Sequence, residues 1–208
     1  MMQNNNKSLT VIGLTGGIGT GKSTVLDIIR NDYNAYCVEA DKIAADMEKK
    51  GQHVYDCIVE HFGTQILRED GEIDRDSLRQ EVMNAPEALK WLNNLIHPEV
   101  KKFIVADIDR VREEAHFTYY VIEAALLIQD GYKDICDYML NVSVTRKVRI
   151  ERIMANRGYD YDKALSFINN QPDEDFFRDN SDITIDNSGR REDIAREVSG
   201  VFKIIENR

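Results

Sequence analysis

Leu9-Thr10-Val11-Ile12-Gly13-Leu14-Thr15-Gly16-Gly17-Ile18-Gly19-Thr20-Gly21-Lys22-Ser23-Thr24-Val25-Leu26-Asp27-Ile28-Ile29-Arg30 runs from an apolar stretch through a glycine loop into a helical pattern. Leu9 to Leu14 predicts a short buried strand, and Val25, Leu26, Ile28 and Ile29 fall on the inner side of a helix over Ser23–Arg30. Between them, Gly16 to Ser23 fit G-x-x-x-x-G-K-[ST]. In such a loop Gly16, Gly17, Ile18, Gly19, Thr20 and Gly21 turn backbone N–H groups onto phosphate oxygens. Lys22 brings a point charge to the β- and γ-phosphates, and the Ser23 hydroxyl holds Mg²⁺. The helix N-terminus that follows also favours an anion. Strand, loop and helix in this order predict a site for a nucleoside triphosphate.

Working outward, the 208-residue length fits one α/β domain, with room for a sizeable insertion and a full apolar core. Cys37, Cys57 and Cys136 are odd in number, far apart and without a C-x-x-C, which predicts reduced thiols in a cytoplasmic protein. Met1-Met2-Gln3-Asn4-Asn5-Asn6-Lys7 is polar and unlike a signal peptide. No apolar run approaches the roughly 18 residues of a membrane span. The net charge of −10 argues against nucleic-acid or anionic-membrane partners, while local Lys and Arg still suit a small polyanion such as ATP.

Four further strands are predicted: Asn34–Asp41, Tyr119–Glu123, Tyr138–Val144 and Asp182–Asp186. Strands alternating with helices imply a parallel sheet covered on both faces. The nucleotide-binding core is expected over 8–50, 116–145 and 181–208, within a single domain. Residues 51–115 read as a helical insertion, longer than a crossover needs and placed to grip a second substrate. In it, Val54, Ile58 and Phe62 share a helix stopped by Gly63, and Asp76 is expected to cap Ser77–Met83. Pro86 starts another helix, which His97-Pro98 is expected to break. Beyond the break Val100, Phe103, Ile104 and Ile108 point inward. Trp91 and the tyrosines read as core residues. Residues 146–180 are helical and arginine-rich, a candidate lid. The closing helix, Glu192 to Ile205, turns Ile194, Val198, Val201, Phe202 and Ile205 to the core.

Phosphoryl transfer needs a phosphate cradle, a metal, an acceptor-orienting base and cations on the transferring oxygens. Asp41 ends the second strand, where open α/β sheets bind ligands. It reads either as that base or as the N-cap of the helix at Lys42. Glu123 also ends a strand and reads either as an acid acting on Mg²⁺, directly or through water, or as a structural carboxylate. Arg149 and Arg152 share a helix face and Arg157 precedes Gly158. They read either as phosphate-facing forks or as a solvated face among Glu151, Asp160, Asp162 and Asp173–Asp175. His97 taken alone reads as a hydrogen-bonded structural residue. No His/Cys cluster suggests zinc.

Over residues 9–206 the chain resembles the dephospho-coenzyme A kinases. Gly13 to Thr24 is nearly that family's GLTGGIGSGKST, with Thr20 in place of Ser, and Thr24 joins the nucleotide site. Glu39-Ala40-Asp41-Lys42-Ile43-Ala44 resembles D-A-D-x-I-A, whose second Asp is the proposed base. Leu95-Ile96-His97-Pro98-Glu99-Val100 resembles I-x-H-P-x-V of the acceptor region, and Ile185-Asp186-Asn187-Ser188-Gly189 resembles I-D-N-S-G, near the adenine.

There are also departures. D-x-P-L-L-F-E reads Glu123-Ala124-Ala125-Leu126-Leu127-Ile128-Gln129, and R-L-M-A-R-D-G reads Arg152-Ile153-Met154-Ala155-Asn156-Arg157-Gly158. Gln171 matches the glutamine ending the lid segment, with Pro172 after it.

The resemblance implies a five-stranded parallel P-loop fold with a helical acceptor domain and a helical lid. The implied reaction is transfer from ATP, with Mg²⁺, to the ribose 3′-hydroxyl of dephospho-coenzyme A. It implies Asp41 as base, Lys22 on the phosphates, Arg152 with Arg149 and Arg157 over the transferring group, and Asn187 at the nucleotide base. His97 would lie with the acceptor. Two rivals stand beside it: another small-molecule kinase of this architecture, and a regulatory P-loop switch, although no N-K-x-D motif occurs.

Overall fold

The computed structural model describes residues 9–83 and 85–207, and the polar run Met1–Lys7 lies outside them. In chain order the elements are β1 (Thr10–Thr15), α1 (Lys22–Asp32), β2 (Ala35–Glu39), α2 (Ala40–Met47), α3 (His53–Phe62), α4 (Arg75–Met83) and α5 (Pro86–Glu114). They continue with β3 (Tyr119–Glu123), β4 (Tyr138–Ser143), α6 (Arg146–Arg157), α7 (Tyr161–Asn169), α8 (Glu174–Asp179), β5 (Ile183–Asp186) and α9 (Arg191–Glu206). The chain divides into two compact units, one of residues up to Val38 and from Ile108 onward, the other of Glu39–Asp107.

The first unit holds the sheet. Its strand order is β2-β3-β1-β4-β5, with β1 parallel to β3 and β4, and β4 parallel to β5. Four consecutive residues of β3, Tyr119 to Ile122, are buried, the near-continuous apolar run of a strand covered on both faces. One face presents Ile12, Leu14, Tyr119, Val121, Leu140, Val142 and Ile185 to α1 and α9. α9 answers with Ile194, Val198, Val201, Phe202 and Ile205, as its 3.6-residue period predicts. Each such side chain stabilises by about 1.5–3 kcal/mol when buried, so packing rather than propensity holds the helix. In this unit a polar row crosses the other face, where Thr15 stands beside Asn141 and Asn141 beside Thr184. Asn141 Nδ2 donates to Thr184 Oγ1 at 3.4 Å.

The second unit is helical, and three expectations fail there. Pro98 does not end a helix, because α5 continues through it. The only backbone acceptor that the missing N–H deprives is the Asn94 carbonyl, and both Asn94 and Pro98 are exposed, so water can serve it. Leu92, Ile96, Val100 and Ile104 then form one buried stripe of four-residue steps, and Phe103 falls on its flank, 47% exposed rather than inward. Asp74, not Asp76, caps α4: its carboxylate accepts from the Asp76 backbone at 3.3 Å. Trp91 is half-buried and stacks on His61, ring centroids 3.7 Å apart. Gly63, at φ 83°, does stop α3.

None of the three cysteines forms a disulfide. No helix among the described residues is long and apolar enough to cross a membrane.

Candidate functional site

The turn from β1 into α1 is the centre of the site. Gly21, at φ 85°, is the N-cap of α1 and offers no side-chain cap, and no acid lies in the first helical turn. The leading N–H groups of α1 are therefore left for an anion from outside the helix. Gly21 must be glycine on two counts: its φ is left-handed, and a Cβ there would collide with Asn187 Nδ2.

Lys22 Nζ donates to the Gly16 carbonyl at 3.1 Å and lies 3.6 Å from Glu123 Oε1. Both side chains are mostly buried, 13% and 15% exposed. The register Leu14↔Glu123 explains the pairing, since it sets the end of β3 beside the start of the loop. Ser23 is exposed in the first turn of α1.

The loop's outer side is held by side chains from distant sequence. Asn187 is 1% exposed, and its Nδ2 donates to the Thr20 carbonyl at 2.6 Å and to Gly21 at 3.3 Å. Arg152 donates to the Thr20 carbonyl at 3.3 Å and to the Asn187 carbonyl at 2.8 Å. Arg149, at 3% exposure, is not part of a solvated face. Its Nε donates to the Ile18 carbonyl, Nη1 to Glu174 and Nη2 to Gln171, each at 2.7 Å. Burial pushes its guanidinium below the usual arginine value, and the Glu174 carboxylate opposes that shift. Arg157, by contrast, is exposed and makes no hydrogen bond or ion pair among the described residues.

Glu174 was not singled out from the sequence. It lies in the acidic run Asp173–Asp175, which looks like a solvated helix start, and only tertiary folding sets it against Arg149 and Ser143 Oγ, 3.1 Å away. Thr15 Oγ1, Asn141 Oδ1 and Asn187 Oδ1 are buried without a hydrogen-bond partner.

In the helical unit, Asp41 is exposed in the first turn of α2. It is not the N-cap, because the helix begins one residue earlier, at Ala40, with Glu39 in that position. Asp41 lines a cavity of about 360 Å³ with Ala44, Leu78, Val82, Leu92, Arg75 and Arg79. Glu48, 3.4 Å from Arg75 on the same wall, has its carboxyl pushed up by burial, with Arg75 pulling it down. His97 lies half-buried on α5. This wall is apolar at Ala44, Leu78, Val82 and Leu92, with two carboxylates and two arginines at its edges.

Residues 10–193 match a family model described as Dephospho-CoA kinase. A dephospho-CoA kinase of Bacillus licheniformis is 36% identical over 189 residues, covering 90% of this chain and 92% of that protein. A Thermus thermophilus crystal structure, TT1252, superposes with a TM-score of 0.78 at 26% identity, over 95% of this chain and 98% of that one. A dephospho-CoA kinase from Campylobacter jejuni shares the fold, with a TM-score of 0.70 at 24% identity over 94% and 96% of the two chains. The match takes in the phosphate loop, the helical unit and the segment around Arg149, and the chain belongs to the dephospho-CoA kinase family.

Proposed function

We propose a division of labour for the reaction this chain catalyses, transfer of the γ-phosphoryl of ATP to the ribose 3′-hydroxyl of dephospho-coenzyme A. The products are coenzyme A and ADP, the last step of coenzyme A synthesis. Gly16 to Gly21 cradle the phosphates, with Thr24 one turn behind on α1. Lys22, now on the Gly16 carbonyl and Glu123, turns to the β/γ oxygens when a polyanion competes for it. Asn187 borders the nucleotide base, and Arg152 and Arg157 supply cations to the transferring group. Asp41 takes the proton of the 3′-hydroxyl. The freed oxygen forms a bond to the γ-phosphorus as the bond to the β-phosphate bridging oxygen breaks, releasing ADP.

Residues 51–115, with His97, hold the acceptor, and 146–180 form the lid that excludes water. Mg²⁺ suits the donors present. Ser23 offers a hydroxyl and Glu123 a carboxylate that acts directly or through water, and no three acids or histidines cluster among the described residues. Such an ion would be held largely by the nucleotide together with these residues, and it would supply positive charge to the phosphates.

The observation that carries this reading is the family match through 10–193, joined to an uncapped α1 N-terminus free of acids. The test is ADP release by the purified protein with Mg²⁺ and ATP. Dephospho-coenzyme A should stimulate it strongly and yield coenzyme A by mass. Stimulation by AMP, adenosine or shikimate instead would assign another small-molecule kinase, and slow hydrolysis without any acceptor would assign a switch.

A further inference from the structure

Ile18, at the crest of the phosphate loop, has its backbone N–H and its carbonyl both taken up on the outer side, and these belong to the two successive peptide groups that flank its Cα. Its N–H donates to Gln171 Oε1 at 2.7 Å, and its carbonyl accepts from Arg149 Nε at 2.7 Å. Arg149 Nη2 donates to that same Gln171 oxygen at 2.7 Å, which closes a ring of three hydrogen bonds around one residue. The guanidinium's remaining arm reaches Glu174, which also accepts from Ser143 Oγ at the end of β4. The ring is thereby anchored to the sheet. The neighbouring glycine gives independent evidence of how tightly it fits, because a Cβ on Gly17 would overlap the Arg149 guanidinium. Gly17 has an ordinary negative φ, so close approach rather than backbone freedom demands glycine there.

We propose that Arg149 and Gln171 are positioning residues that hold the phosphate loop in its nucleotide-binding shape, with Arg149 acting through the Ile18 carbonyl rather than on the transferring phosphoryl group. With the N–H of one peptide and the carbonyl of the next both tied down, neither flips without breaking a hydrogen bond, so the loop amides beyond them keep their direction before any phosphate arrives. Loop ordering is then not charged against nucleotide binding. Gln171 does this with one oxygen accepting two bonds, so a carboxylate can replace it but an alkyl group cannot.

The inference rests on ATP binding at this loop, and its test separates the two. Amide hydrogen exchange at Ile18, with neither nucleotide nor acceptor present, should show protection in the parent chain, lose it in Gln171→Ala and regain it in Gln171→Glu. Calorimetric titration with a non-hydrolysable ATP analogue should weaken about tenfold in Arg149→Ala and in Gln171→Ala, the scale of one hydrogen bond to a charged group. Gln171→Glu should recover most of that loss. KM for dephospho-coenzyme A should stay as in the parent, and kcat should fall less than nucleotide affinity. Three results would overturn the inference: Ile18 still protected in Gln171→Ala, Gln171→Glu as weak as Gln171→Ala, or Arg149→Ala binding the analogue normally while kcat collapses. If Arg149→Ala does not fold, the Gln171 pair decides alone. If the parent chain does not phosphorylate dephospho-coenzyme A, the assigned reaction fails while the exchange result still judges the ring.

Discussion

The phosphate loop and the wall around Asp41 are organised in opposite ways. Around the loop, the carbonyls of Ile18, Thr20 and Gly21 are each taken by a side chain from distant sequence. Two of those side chains, Arg149 and Asn187, are 3% and 1% exposed. Around Asp41 the polar groups are mostly open to water, with Glu48 the exception. Arg75, 64% exposed, pairs with the more buried Glu48 at 18%, and Arg79 pairs with Asp76 at 68% and 84% exposure. Exposed pairs of this kind contribute about 0–1 kcal/mol and rearrange readily. On the proposed reading, the nucleotide side is thus preorganised by the protein, whereas the acceptor side is left largely for its ligand to order. A triphosphate presents the same fixed anion each time, so rigid donors suit it, and a long flexible acceptor gains from side chains that can move to meet it.

The largest effect should come from the acceptor side. Asp41→Asn should lower kcat by about 10²–10⁴-fold, the usual share of a general base, while the ATP analogue binds as before. Turnover within error of the parent would remove Asp41 from the base role, and loss of analogue binding would break the contrast between the two regions. Lys22→Ala should lower kcat by about 10²–10³-fold, the scale of one lost stabilising donor, and here analogue affinity should fall as well. Normal affinity in that variant would show that Lys22 does not leave Glu123 for the nucleotide.

The smallest effect is on stability and belongs to the sheet unit. Tyr119 is buried beneath Phe202 and donates to Glu206 at 3.1 Å. Desolvation first, then that carboxylate, push its phenol up to about 12 from the ordinary tyrosine value of 10.0. The folded state therefore favours the neutral ring. That contribution is complete below pH 10.0 and disappears as pH climbs from there to about 12. Tm followed by circular dichroism should fall through this window, and Tyr119→Phe should flatten part of the fall. Trp91, the sole tryptophan, lies in the other unit and reports on it separately. If its fluorescence transition moves in step with the circular dichroism, the two units unfold as one.

Much of the nucleotide side could be read along the chain because its parts are contiguous. A glycine run between an apolar strand and an amphipathic helix is local backbone chemistry, and β1, α1, the β3 strand and the inner face of α9 lie where periodicity predicts them. Capping and helix continuity were less legible. The sequence points to Asp76 as the cap of α4, whereas in the folded chain it is the Asp74 carboxylate that accepts from the Asp76 N–H. Pro98 looks like a breaker until the buried stripe from Leu92 to Ile104 is seen to outweigh a single lost hydrogen bond at an exposed carbonyl.

By itself the sequence determined the phosphate loop, the parallel order of alternating elements and the family, because these depend on residue types at short, regular spacings. Only the tertiary structure decided that Arg149 is buried, that Gln171 and Glu174 are its partners, and that Asn187 sits on the loop carbonyls. A charged residue on a helix has the same local pattern whether its face meets water or a loop 131 residues away. What tells the two apart is the desolvation cost and the hydrogen bonds that offset it, and both exist only once the chain has folded.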